Sequence, residues 1–235
     1  MRYAIYFTPP AHHPVTTTAA AWLGRNAFSG DFAETPDVPG LTLQELAYYT
    51  ALPRRYGFHA NLKAPFRLAE GVSEATLLKE LMLFAGAMRP FRLQPLEVAR
   101  LGTYYGLAPE RPDTDMHRLA ALVVQHFDAF RAPLTEIEIE RRDPDGLTAP
   151  QFANLHRWGY PYVMDEFRFH MTLTGTVNPC DGQRIEKALR DHFAGVLAAP
   201  LDVSSIALFV EEETGSPFRV HSLHPLGRVD RRRSA

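Results

Sequence analysis

Two short segments carry residue types suited to acid–base chemistry. The first is Phe58-His59-Ala60-Asn61-Leu62-Lys63-Ala64, and the second is Arg168-Phe169-His170-Met171-Thr172-Leu173-Thr174. Side chains alternate faces along a strand. One face of the first segment then shows His59, Asn61 and Lys63, with Phe58, Ala60, Leu62 and Ala64 behind. One face of the second shows Arg168, His170, Thr172 and Thr174, with Phe169, Met171 and Leu173 behind. Imidazole titrates near neutral pH. Two imidazoles on opposite walls of a groove can flank a phosphorus atom. One takes a proton from the attacking oxygen and the other gives one to the leaving oxygen, each transfer contributing about 10²–10⁴ in rate. Asn61 and Thr172 point the same way and would hold the non-bridging oxygens. Lys63, with Arg54, Arg55 or Arg168, would offset the developing negative charge. Tyr56 and Tyr104 are candidates to stack on a sugar or base.

These segments need elements to hold them. Hydrophobic periodicity predicts strands over 2–8, 56–68, 134–141 and 167–177, with two more inside 91–108 and a closing hairpin over 203–223. It predicts helices over 16–28, 42–50, 73–88, 113–130, 149–158 and 183–197, with Pro53 ending the second. The order strand, helix, strand occurs twice. His59 lies 32 residues before Phe91, and His170 lies 31 before Leu201. With an offset of 110, Phe91, Leu93, Leu96 and Val98 fall on Leu201, Val203, Ile206 and Leu208. This predicts an internal duplication, with one histidine per lobe and the polar faces lining the groove between lobes.

Composition narrows the classes. The 235 residues are 46% hydrophobic and 22% charged, with a formal net charge of −2. That is ordinary for a domain with a sizeable core, and it supplies no basic field for a long nucleic acid. The single cysteine, Cys180, excludes an internal disulfide and a multi-cysteine metal site. No apolar run is long enough to span a membrane, and the first residues lack the pattern of a signal peptide. A cytoplasmic location is the expectation. Arg231–Arg233 reads as part of a loose tail.

His59-Ala60-Asn61-Leu62 and His170-Met171-Thr172-Leu173 resemble the paired His-x-Thr/Ser-hydrophobic motifs of the two-histidine (2H) phosphoesterase superfamily. The wider contexts, residues 55–66 and 167–175, with the strand Arg2-Tyr3-Ala4-Ile5-Tyr6-Phe7, look more specifically like a bacterial subfamily associated with phosphonate metabolism and of unknown function. The resemblance covers nearly the whole chain. It implies an α+β, bilobal, internally duplicated fold: two mainly antiparallel sheets facing across a central cleft, helices outside. The expected lobes are residues 1–110, with returning terminal segments, and 111–235. The resemblance also implies a cyclic phosphodiesterase working without metal or cofactor, with His59 and His170 as the acid–base pair. Asn61 departs from the family pattern, which has Thr or Ser there. The substrate it suggests is a small phosphorylated sugar, 5-phosphoribosyl 1,2-cyclic phosphate in phosphonate breakdown. A nucleoside or RNA-end 2′,3′-cyclic phosphate is the alternative. A non-catalytic binder of a phosphosugar or nucleotide, and a metal-dependent hydrolase using scattered His and Asp residues, stay open as other classes.

Overall fold

Local capping signals start most of the helices. The computed structural model describes residues 1–227; the tail expected around Arg231–Arg233 lies outside them. In chain order the elements are β1 (Arg2–Phe7), α1 (Pro14–Leu23), α2 (Leu43–Tyr56), β2 (Ala60–Phe66), α3 (Glu74–Ala87), β3 (Phe91–Leu93), β4 (Leu96–Leu101), β5 (Tyr104–Pro109), α4 (Thr114–His126), α5 (Glu136–Glu140), α6 (Ala149–Trp158), β6 (Met171–Thr172), α7 (Gly182–Phe193), β7 (Leu201–Val203), β8 (Ser205–Glu211) and β9 (Arg219–Pro225). The hydroxyl of Ser73 accepts the Thr76 N–H at the start of α3, and the Asp113 carboxylate accepts that of Met116 at the start of α4. The buried face of α3 is Leu77, Leu81, Phe84 and Ala85; that of α7 is Ile185, Ala188, Leu189 and Phe193. Each large buried side chain contributes about 1.5–3 kcal/mol.

Three antiparallel sheets result. One runs β2-β1-β8-β9, a second β4-β5-β6, and a two-stranded ribbon joins β3 to β7. In the two larger sheets the strand next to each histidine stands at an edge, β2 beside β1 and β6 beside β5. The helices α4 and α3 pack on the first sheet, against β2 and β9, while α7 packs on β4 of the second. One large apolar cluster runs from Ile5 and Leu62 to Leu107 and Met171, joining both sheets. The expected α+β class, duplication and antiparallel sheets are present.

Several expected boundaries move. The lobes do not divide at residue 110, because β4 and β5 from the first half complete the sheet of β6. Hydrogen bonding selects those partners, not chain order. The strand expected over 134–141 is the helix α5. Its alternating Glu136-Ile137-Glu138-Ile139-Glu140 imitates a strand, but Thr135 and Glu138 form a capping box. The expected strand 167–177 pairs as a strand only at Met171–Thr172. Pro53 does not end α2, which continues to Tyr56. Proline lacks the N–H that would bond the carbonyl of Tyr49. That carbonyl accepts the N–H of Gly175 instead, at 2.6 Å, and so ties α2 to the second histidine segment.

Candidate active site

His59 lies one residue before β2, and His170 one residue before β6. Both line a single cleft of about 310 Å³ between the two sheets. Each is oriented by the same bond. His59 Nδ1 lies 2.9 Å from the carbonyl of Gly57, and His170 Nδ1 lies 2.8 Å from that of Arg168. A carbonyl only accepts, so each Nδ1 carries the hydrogen and each Nε2 is left with its lone pair. The backbone thus selects the tautomer of both rings.

The sequence makes the Gly57 carbonyl available at some conformational cost. Gly57 has φ 76° and ψ −179°, a region occupied essentially by glycine alone. A Cβ there would stand 2.4 Å from the Cβ of Ala27. On the other wall, Thr172 is held by pairing with Gly106. A Cβ on Gly106 would meet the Met171 carbonyl oxygen at 2.7 Å, so glycine permits the close approach of β5 and β6.

The environments of the two rings differ. His59 is buried and stacks on Tyr6, with ring centroids 3.9 Å apart. Burial pushes its pKa down to about 4; the Gly57 carbonyl and Asn61 oppose this, and His170 adds to it. His170 is half-buried, and burial lowers its pKa as well, opposed by the Arg168 carbonyl. Its Nε2 accepts the hydroxyl of Tyr104 at 3.2 Å. Both shifts favour the neutral rings near pH 7, and a bound anion would favour protonating one of them.

Of the residues expected at the site, the cleft brings together His59, Asn61, His170, Thr172, Tyr56 and Tyr104. The four expected cations are turned away from it. Lys63 is buried on the opposite side of β2, with Nζ 3.5 Å from the Val124 carbonyl and 3.4 Å from Asp128. The cause is a bulge. Tyr6 pairs with Asn61 and Ile5 with Lys63, so β2 carries an extra residue at this point, and a second register shift follows between Ile5 and Tyr3, which pairs with Phe66. An extra residue inverts the alternation, and Ala64 and Pro65 line the cleft in place of Lys63. Arg54 binds the Leu23 carbonyl at 2.6 Å and the Thr50 hydroxyl at 2.7 Å, which satisfies an open carbonyl at the end of α1. Arg55 pairs with Glu211 at 2.5 Å. Arg168 is exposed and bonds the carbonyls of Asp165 and Phe167. Arg168 keeps the side away from the core, as His170 does, but its guanidinium is held by these carbonyls and does not line the cleft.

Among the lining residues that were not expected, Arg2, Tyr6, Arg142 and Tyr160 carry guanidinium or phenol groups. They come from β1, the turn after α5 and the segment after α6, and no sequence spacing links them. A weak signal existed for Tyr6, a polar-tipped aromatic in the predicted first strand.

The fold and the cleft define a two-lobed α+β protein with one backbone-oriented histidine per lobe. The chain belongs to the family described as "Protein of unknown function (DUF1045)", whose model matches residues 61–219. Two curated relatives are both called "Ribose 1,5-bisphosphate phosphokinase PhnN". The one from Janthinobacterium sp. (strain Marseille) is 42% identical over 221 residues, 92% of this chain and 49% of the relative. The one from Laribacter hongkongensis (strain HLHK9) is 36% identical over 220 residues, 94% of this chain and 50% of the relative. The chain spans about half the length of these relatives. Two solved structures are similar over 96% of this chain and 98% of theirs. One, titled "Crystal structure of phosphoesterase", has TM-score 0.41 and 13% identity. The other, of E. coli LigT complexed with 3′-AMP, has TM-score 0.42 and 14% identity.

Proposed function

We propose that this chain is a phosphodiesterase of the two-histidine type that hydrolyses a small cyclic ribose phosphate. The observation that carries the reading is the matched pair of imidazoles, each fixed through Nδ1 to a backbone carbonyl and each lining the same cleft. In the proposed reaction the Nε2 of one ring takes a proton from water as its oxygen bonds to phosphorus. The other ring, protonated, gives its proton to the ester oxygen as that P–O bond breaks. The Asn61 amide and the Thr172 hydroxyl hold the non-bridging oxygens. The proton transfers and charge stabilisation all come from side chains, so the reading requires no metal.

The relatives' name supports one substrate. Opening 5-phosphoribosyl 1,2-cyclic phosphate at the 2-oxygen leaves the phosphate on oxygen 1. The product is ribose 1,5-bisphosphate, the compound named in both relatives. The partly exposed tyrosines of the cleft, Tyr56, Tyr104 and Tyr160, favour a second reading, a 2′,3′-cyclic nucleotide whose base stacks on a ring.

The test is turnover with EDTA present of 5-phosphoribosyl 1,2-cyclic phosphate, the nucleoside 2′,3′-cyclic phosphates and a short RNA with a cyclic end. Wild type is compared with His59→Ala and His170→Ala. The expected result is hydrolysis of the ribose compound and a loss of about 10²-fold or more in each variant. Turnover of nucleotides alone selects the second reading. Tight binding of phosphosugars without any turnover overturns the enzymatic reading in favour of a binding protein, the role that Asn61 would suit.

A further inference from the structure

Among the described residues, the lining of the cleft includes two guanidinium groups, Arg2 and Arg142, and no Asp or Glu. Arg142 makes no ion pair among these residues, and its guanidinium lies 5.0 Å from the centroid of the Tyr160 ring. Arg2 and Arg55 share one carboxylate, that of the fully buried Glu211. Arg55 does not line the cleft, but it shares the charge of Glu211 with Arg2, so the carboxylate does not fully neutralise the Arg2 guanidinium, and the cleft lining keeps a net positive character from Arg2 and Arg142. The Tyr6 hydroxyl is completely buried and, among the described residues, has no hydrogen-bond partner. A buried donor without an acceptor is costly in a folded chain unless a ligand supplies one. Burial pushes the Tyr6 phenol well above its ordinary pKa; Tyr56 and Tyr160 add to this, while Arg2 and Arg142 pull the other way. All five residues line the one cleft, and the phenol stays a donor at neutral pH.

The geometry points to an anion subsite in this cleft, distinct from the position of the reacting phosphorus, where Arg142, Arg2 and the hydroxyls of Tyr6 and Tyr160 hold a phosphomonoester carried by the substrate. The inference rests on the two-histidine reading and adds what selects the substrate. A phosphomonoester is close to a dianion at pH 7, which suits a lining with two guanidinium groups and no carboxylate. Arginine gives a planar fork for its oxygens. The cyclic diester carries one charge and has Asn61 and Thr172 for its oxygens, so it leaves this cluster free. The cations that the sequence offered for such a role, Lys63, Arg54, Arg55 and Arg168, do not line the cleft.

The experiment measures kcat/KM for ribose 1,2-cyclic phosphate with and without a 5-phosphate. The expected ratio strongly favours the phosphorylated compound in wild type. Arg142→Ala and Tyr6→Phe each lower that ratio by about tenfold or more, chiefly through KM. An equal loss on both substrates places these residues at the reacting phosphorus and overturns the subsite, as does no loss. A second arm does not depend on turnover. His170→Ala protein is titrated calorimetrically with ribose 5-phosphate and with ribose, with and without Arg142→Ala. Selective binding of the phosphate, weakened about tenfold by Arg142→Ala, supports the subsite even if neither cyclic compound is hydrolysed. Binding that Arg142→Ala leaves unchanged, or no binding of ribose 5-phosphate, overturns it while leaving the catalytic reading to its own test.

Discussion

Arg92 stands directly opposite Asp202 in the β3–β7 ribbon, with Nε 2.8 Å from Oδ1, and Asp202 occupies Arg92's own place 110 residues later in the repeat. Phe91 faces Val203 and Leu93 faces Leu201. The two repeats thus pair with each other in reverse register, which sets a local two-fold relation between them. This relation brings the leading segments of both repeats, and with them His59 and His170, to one cleft. The apolar residues hold the ribbon, since the Arg92 and Asp202 side chains are 68% and 65% exposed. Arg92→Ala is expected to cost about 1 kcal/mol or less, whereas Leu93→Ala, at a fully buried position, should cost about 2–5 kcal/mol. Denaturant unfolding of the two variants checks this.

Gly57→Ala should damage the protein more than its size suggests. The backbone conformation costs about 1–3 kcal/mol for a residue with a side chain, and the new Cβ meets that of Ala27. Adding Ala27→Gly removes the collision but not the backbone strain. The double variant should recover part of the lost thermal stability.

Lys63→Met should leave kcat/KM within about twofold, against the sequence expectation of a site residue. Asp128 keeps Arg131, whose Nε is 3.1 Å away, so no carboxylate loses all compensation. Asp128 is also partly exposed, so losing Lys63 leaves no buried charge unpaired, the condition under which removing one partner is costly. A large loss of activity with retained stability would contradict this placement of Lys63.

Tyr104→Phe should raise the pKa of His170. The Tyr104 hydroxyl bonds the lone pair of Nε2, and a hydrogen bond to the neutral form disfavours protonation. Following the His170 ring protons by NMR against pH gives the shift directly. No upward movement would show that the bond is unimportant in solution.

His59 makes stability depend on acid. Its folded pKa of about 4 lies below the ordinary 6.5. As pH falls below 6.5 the unfolded chain takes up the proton first, so stability is complete above 6.5 and declines toward pH 4. The loss from this one group is on the order of 3 kcal/mol. His59→Gln should show a shallower decline between pH 7 and 4.5, read by guanidinium unfolding at each pH. An unchanged slope would mean that other groups, such as the buried His224, dominate.

The sequence by itself determined the duplication, the two histidines and their neighbours Asn61 and Thr172. Those features depend on alternation over two residues and on one constant offset, and both survive folding at His59–Asn61 and His170–Thr172. Residues 167–173 keep the expected alternation of buried and exposed side chains although only Met171 and Thr172 pair, because the core needs the apolar face whether or not a ladder forms. The tertiary structure alone decided where the positive charge sits. An extra residue in β2 turned Lys63 from the cleft to the Val124 carbonyl of α4. The placement of β1 between β2 and β8 put Tyr6 against Asn61 and beneath His59. The turn after α5, in a segment whose pattern reads as a strand, delivered Arg142. Alternation is a property of neighbours two residues apart. A charge cluster drawn from residues 2, 6, 142 and 160 depends on strand order and bulges, and these are fixed only when the sheets pack.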